Sequence, residues 1–266
     1  MSGAGLYLTI DDGPSERFTE LVDFLNERNI QAVFFNRGDA MEARPEAVLY
    51  GIQRGHIMAN HTYSHKKSSK LPLNEIKAEI LRTEDILRDL YSKAGANRNG
   101  KYFRFPYMDR GMGTALIDPE NAKPEHLSPI NTLITNGLGH IAPTSISDEQ
   151  IEKKNAIQEF LLQHNYTNIR VRDVNVPWYA ESEMAQTVDS LCTFSTSDWA
   201  ISERHKGKHG FESLDDLKAQ IDNNEWLKDS NSNHIILAHD QAEIFDVTTA
   251  LIDYFLEKDF KFLDFG

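Results

Sequence analysis

Two carboxylates stand side by side in Thr9-Ile10-Asp11-Asp12-Gly13-Pro14, directly after an apolar run. Adjacent carboxylates repel unless a cation or a proton divides their roles. The pair is therefore either an acidic turn or part of a site. His61-Thr62-Tyr63-Ser64-His65 offers two imidazoles at i,i+4 spacing. On a helical turn these face one way and can hold one ion through neutral nitrogens, although such pairs are also ordinary surface residues. In Phe103-Arg104-Phe105-Pro106-Tyr107 an arginine interrupts an apolar strand. Its burial demands a carboxylate partner, in a structural ion pair or in a site. Two further groups are Ser197-Asp198-Trp199 and Ile235-Ile236-Leu237-Ala238-His239-Asp240, the latter a histidine closing an apolar run.

The elements that must position these groups alternate. Leu6 to Ile10 reads as a buried strand stopped by a turn, Arg17 to Asn29 as a helix with Phe18, Leu21, Val22 and Leu25 on one face, and Ala32 to Phe35 as a second strand. A helix over Pro45 to Arg54, a strand over His56 to Ala59, a helix over Asn74 to Tyr91 and a strand over Tyr102 to Phe105 follow. The stretch from Met108 to about Gln150 is rich in Gly, Pro and Asn with little periodicity, and reads as an insertion over the site. Beyond it the pattern predicts a helix over Ile151 to Leu162 and strands over Ile169 to Val176, Leu191 to Ser195 and His234 to Ala238. A helix over Val247 to Glu257 and a strand over Phe260 to Phe265 close the chain. Such alternation argues for an α/β fold with parallel strands. In a parallel barrel the strand C-termini share one rim, where groups that follow strands converge.

With 266 residues, 40% hydrophobic and 26% charged, the chain has the composition of a globular protein that one α/β barrel can accommodate. Its formal charge of −13 argues against nucleic acid as a partner, and the cluster Lys66, Lys67 and Lys70 reads as a solvated turn. Cys192 stands alone, so no intrachain disulfide can form. The first residues lack the basic and long apolar regions of a leader or a membrane span. The expectation is a cytoplasmic protein, or an exported or periplasmic one if a leader has been trimmed.

Taken together and in this order, the five groups resemble the polysaccharide deacetylase family, the NodB-homology domain of carbohydrate esterase family four, over essentially the whole chain. Ala32 to Gly38 is similar to that family's second-strand pattern, with Val33 where a Thr is common. The resemblance implies a distorted parallel (β/α) barrel, with residues 1–266 as one catalytic domain and an insertion at about 111–149 between the third and fourth motifs. The implied activity is metal-dependent removal of N-acetyl, or alternatively O-acetyl, groups from an amino-sugar polysaccharide or oligosaccharide. Asp12, His61 and His65 would bind a divalent ion, zinc first, with cobalt or nickel as alternatives. Asp11 would be the general base, Arg104 its charge partner, and the Tyr107 N–H a donor to the oxyanion. His239 would protonate the departing amine, oriented by Asp198, while Trp199 and Leu237 would wall the acetyl pocket. Phe105 stands where the family often has Pro and Met108 where Gly is common. The link from the third motif to Asp198 is also longer than the family needs, which bears on the glycan groove rather than on the metal centre.

The segment Asp173 to Tyr179 also resembles the fourth motif. Asp198-Trp199 is preferred because only there does an acid directly precede the tryptophan. Trp178 and Tyr179 remain candidates for stacking on a sugar, against ordinary packing. A hydrolase of another C–N bond in a small amide is a competing reading. A catalytically silent glycan-binding module is a third, and it would predict loss of the base or the acid, yet Asp11 and His239 are both present. The expected partner is an acetylated glycan, without nucleic acid and without a membrane segment.

Overall fold

Leu6, Leu8 and Ile10 alternate with Tyr7, Thr9 and Asp11, so the first strand turns an apolar row to one side and a mixed row to the other. In the computed structural model, which describes residues 4–266, this strand, β1 (Gly5–Asp11), is central. It pairs in parallel with β2 (Ala32–Asn36) and β5 (His234–His239), and β2 pairs with β3 (Ile57–Asn60). Short β4 (Phe194–Ser195) flanks β5, and β6 (Lys261–Phe262) pairs with the start of β1. The order is β3-β2-β1-β5-β4, every pairing parallel. Register sets Asp11 opposite His239 and Phe35, and Asn36 opposite Asn60. The strand ends therefore form one rim.

The sheet closes on itself without a regular final strand. Tyr102 to Phe105, predicted as a strand, bridges to β3 through Arg104 N–H donating to Asn60 O (3.1 Å) and Asn60 N–H to Tyr102 O (3.0 Å). On its other side Ser190 N–H donates to Phe103 O (2.7 Å), and Thr193 N–H to Ile235 O of β5 (2.9 Å). The chain thus makes the distorted α/β barrel that the sequence implied, with single bridges where a ladder was expected.

Crossovers are helical: α1 (Phe18–Glu27), α2 (Gly38–Ala43), α3 (Pro45–Gln53) and α4 (Leu73–Ala94) follow the first three strands. Then come α5 (Pro124–Thr132), α6 (Asp148–Gln163), the one-turn α7 (Pro177–Ala180) and α8 (Glu183–Gln186), α9 (Leu214–Asn223) and α10 (Phe245–Glu257). Leu6, Leu8 and Ile10 of β1 share one core with Phe18, Leu21, Val22 and Leu25 of α1 and with Leu251 and Phe255 of α10. Among the described residues no helix is long and apolar enough to cross a membrane.

Three expectations are corrected. The stretch 108–150 is not structureless: α5 runs on into a turn of π-helix (Leu133–Gly137), and Leu116, Ile130 and Ile134 pack against Val33, Phe35 and Leu237. It fills one face of the sheet as well as lying beside the cleft described below. Ile169 to Val176 is not a strand, because its backbone groups go to single partners instead of a ladder. Arg172 N–H donates to Tyr7 Oη (3.1 Å), Asn175 N–H to Ser232 Oγ (2.9 Å), and Asp173 takes a left-handed φ of 58°. The strands over Leu191 to Ser195 and Phe260 to Phe265 shrink to two residues each.

Candidate active site

Asp11 ends β1 pointing inward, on the same side as Thr9 two residues earlier, and is 4% exposed. Burying a carboxylate there would be costly without a cation. Arg104, fully buried, donates from Nη1 to Asp11 Oδ1 and to Thr9 Oγ1 (2.8 Å each) and from Nε to Ser190 O (2.7 Å). Its guanidinium also lies over the Phe35 ring, 4.3 Å from the centroid.

Asp12 turns the other way from a left-handed backbone (φ 76°), and its Oδ1 lies 2.9 Å from His65 Nε2 and 3.5 Å from His61 Nε2. The ligand atoms of Asp12, His61 and His65 all lie within 4.8 Å of one another. His61 follows β3 and engages Arg104 O through Nδ1 (2.8 Å), leaving Nε2 directed at the carboxylates. The histidines do not sit on a helical turn as the spacing suggested. They flank an irregular turn with left-handed Thr62 and His65, held by Ser64, whose N–H and Oγ–H donate to Glu79 (2.6 and 2.8 Å). Burial alone would raise Asp12, yet hydrogen bonds from His61 and His65 and the charges of His65 and His239 hold it well below the usual carboxylate range. An ionised carboxylate facing two Nε2 atoms is a donor set that fits a divalent metal with open positions.

On the opposite wall His239 ends β5 with Nδ1 at 2.7 Å from Asp198 Oδ1, and its N–H donates to Asp198 Oδ2 (2.8 Å). Burial pushes the imidazole down, but the charge and hydrogen bond of Asp198, aided by Asp12 and Asp11, raise it to about 9. Asp198 itself is buried and also accepts from Thr248 Oγ1 (2.9 Å). Asp11, Asp12, His61, His65 and His239 line a cleft of about 920 Å³ together with Tyr107, Trp199 and Leu237, while Arg104 and Asp198 stand behind the groups they pair with. Tyr107 is left-handed at φ 58°, as are Asp12, Thr62, His65 and Ser197. Each such non-glycine backbone costs about 1–3 kcal/mol, strain that collects at functional sites. Trp199 donates from Nε1 to Gly137 O (3.2 Å) and covers left-handed Gly139, where a Cβ would collide with the indole.

The structure brings together Asp11, Asp12, His61, His65, Arg104, Tyr107, Asp198, Trp199, Leu237 and His239. It does not bring Trp178 or Tyr179, which are 2% and 3% exposed within the core packed by the insertion and offer no free face to a sugar. Asp173 is exposed, away from His239, so of the two fourth-motif candidates only Asp198 meets the histidine. Sequence reasoning missed Gln241, whose Nε2 donates to Asp12 Oδ2 (2.6 Å), Thr248 behind Asp198, and Asp240, which takes the N–H and hydroxyl of Ser15 (2.8 and 2.6 Å). Burial pushes Asp240 up to about 6 against those bonds. Only Gln241 and Asp240 carried a signal, by following the strand-ending histidine.

Residues 2–116 match the family model described as polysaccharide deacetylase. Over that part, less than half of its length, the chain is similar to the polysaccharide deacetylase family. Over 105 residues it is 38% identical to a peptidoglycan-N-acetylglucosamine deacetylase of Bacillus cereus, covering 39% of this chain and 36% of that protein. Over 110 residues it is 33% identical to a chitooligosaccharide deacetylase of Sinorhizobium fredii, covering 40% and 49%. The chain thus spans about a third to a half of these relatives. The solved structure of a peptidoglycan N-acetylglucosamine deacetylase superposes with a TM-score of 0.55 at 21% identity, over 98% of this chain and 86% of that one, a likeness of fold. The family match takes in Asp11, Asp12, both histidines, Arg104 and Tyr107 and stops inside the insertion; Asp198 and His239 join the site through geometry alone.

Proposed function

We propose that the protein is a metal-dependent deacetylase that hydrolyses the N-acetyl group of an amino-sugar polysaccharide or oligosaccharide, with residues 1–266 as one catalytic domain and 111–149 as its insertion. The observation that carries this reading is the convergence, at one cleft, of the Asp12, His61 and His65 set with an arginine-paired acid on one side and an aspartate-paired histidine on the other. Asp12, His61 and His65 would hold the ion, zinc by the donor set of one carboxylate and two imidazoles. Bound there, a divalent ion supplies Lewis-acid chemistry, polarising the acetyl carbonyl and acidifying water.

The chain's own residues do the proton work. Asp11, whose charge Arg104 compensates at 2.8 Å, accepts a proton from the water that attacks the amide carbon. The Tyr107 N–H donates to the oxyanion. His239, held protonated by Asp198 at neutral pH, gives its proton to the nitrogen as the C–N bond breaks, so that acetate and a free amine leave. The reaction needs base and acid in opposite starting protonation states, and each has its own charged partner. Trp199 and Leu237 wall the acetyl methyl.

Acetate release from a panel of acetylated chitin-like, peptidoglycan and small amide substrates tests this. Chelation is expected to abolish release and zinc or cobalt to restore it, and Asp11→Asn to lower kcat by about 100- to 10,000-fold. Unchanged turnover after metal removal, verified by elemental analysis, would overturn the reading. Turnover of small amides alone would move it to another C–N hydrolase.

A further inference from the structure

Lys66, Lys67 and Lys70 are exposed on the turn that follows His65, as a solvated turn requires. Lys67, Tyr107 and His140 line the main cleft and also a second cavity of about 320 Å³, whose other walls include Lys70, Thr114 and Ser145. That volume lies at the small end of ligand pockets, about 300–1,000 Å³. The Tyr107 ring stands between the two spaces, 4.6 Å from the ring of His65 and 4.9 Å from Lys67 Nζ. Lys67, Tyr107 and His140, which line both spaces, join the second cavity to the cleft that holds the metal set.

In a chain of charge −13, Lys67 and Lys70 are exposed and meet no carboxylate among the described residues. The carboxylate in the lining, Asp109, is 1% exposed, and its oxygens already accept from Ser69 N–H (2.9 Å), Ser69 Oγ–H (2.6 Å), Gly111 N–H (3.1 Å) and Gly113 N–H (3.0 Å). It braces the turn and offers little to a ligand. Lys153 Nζ braces the same turn from α6, donating to Leu71 O (2.7 Å) and Ser69 O (3.3 Å). The two free ammonium groups therefore stand on a backbone held from both sides, which lowers the cost of ordering them on a ligand. Burial, with the neighbouring Lys67, keeps His140 below its ordinary range, so it meets a sugar hydroxyl as a neutral imidazole.

We propose that the second cavity is a glycan subsite for a sugar bearing an anionic substituent, a carboxylate or a phosphate, next to the sugar that carries the acetamide. This rests on the deacetylase reading. Lys67 and Lys70 are its specificity-determining residues, and the insertion, by walling the cavity, gives this chain a preference for acidic polymers.

Acetylated oligosaccharides that differ only in the neighbouring sugar, neutral, carboxylated or phosphorylated, test the proposal. The ratio of kcat/KM for acidic over neutral substrate is expected to be about tenfold or more in the wild type, the scale of one charged hydrogen bond. It is expected to fall towards one in Lys67→Gln/Lys70→Gln and at raised salt, and the carboxylate and phosphate arms show which anion is preferred. A wild-type ratio near one, or a ratio that survives the double substitution, would overturn the subsite. Calorimetry with the same oligosaccharides lacking the acetyl group separates the two claims. Lysine-dependent binding of the acidic compounds without acetate release from their acetylated forms would keep the subsite and sink the deacetylase reading; acetate release without acidic preference would do the reverse.

Discussion

At the residue scale the site consists of two charge pairs facing one donor set, and the pairing of His239 with Asp198 sets a protonation state. The folded His239 sits at about 9, above its ordinary 6.5, with Asp198 as the leading favourable influence against burial. Its pairing with Asp198 therefore stabilises the fold fully below pH 6.5, and that contribution is lost as pH rises through about 9. A dication held by Asp12 opposes the imidazolium and lowers this value in the loaded protein. Asp198→Asn is expected to move the alkaline limb of the pH profile of kcat/KM to lower pH by about one unit or more, since a unit is only about 1.4 kcal/mol. A limb that stays in place would show that Asp198 does not set the acid. The proposed site residues were legible because each lies in, or shortly after, an apolar strand-like run within a short string. Gln241 had only its place after the strand-ending histidine, and Thr248 had no signal, because a hydrogen bond to a carboxylate 50 residues away leaves no local pattern.

At the element scale, strands with full ladders were legible and those held by single bridges were not. β1, β2, β3 and β5 bury nearly every residue and read as apolar runs. The segments at 102–104 and 189–193 complete the ring through isolated bonds, and the insertion hides its packing because Pro129 interrupts α5 and a π turn breaks the helical period. What fixes these irregular parts is charge. Arg110, 1% exposed, donates to Asp189 (2.9 and 3.2 Å), to Leu116 O (2.6 Å) and to Thr187 Oγ1 (2.7 Å), tying the insertion to the segment that bridges Phe103 beside Arg104. Arg110→Met would leave Asp189 buried without its guanidinium. A loss of about 3–5 kcal/mol is expected in denaturant unfolding. A loss below 1 kcal/mol, the range of a surface pair, would mean the network is dispensable.

At the scale of the whole molecule, a parallel barrel makes residues from both ends of the chain meet: Asp11 and His239 are register partners on adjacent strands. The alternation of strand and helix predicted that rim; the closing bridges and the second face of core were visible only once folded. Because the proposed ligands, Asp12, His61 and His65, come from the segments after β1 and β3, binding is expected to stabilise the entire fold. At 100 times its dissociation constant, zinc should add about 2.7 kcal/mol, and for a domain this size each kcal/mol raises Tm by about 2–4 °C. Asp12→Ala should remove that shift in calorimetry, and a shift of equal size in the variant would place the ion elsewhere. The most direct test of the central claim is anomalous diffraction at the zinc edge from zinc-loaded crystals. One peak is expected in the cleft, about 2.0–2.2 Å from an Asp12 oxygen and from the Nε2 atoms of His61 and His65. A fully loaded protein whose peak lies away from these three residues would contradict it.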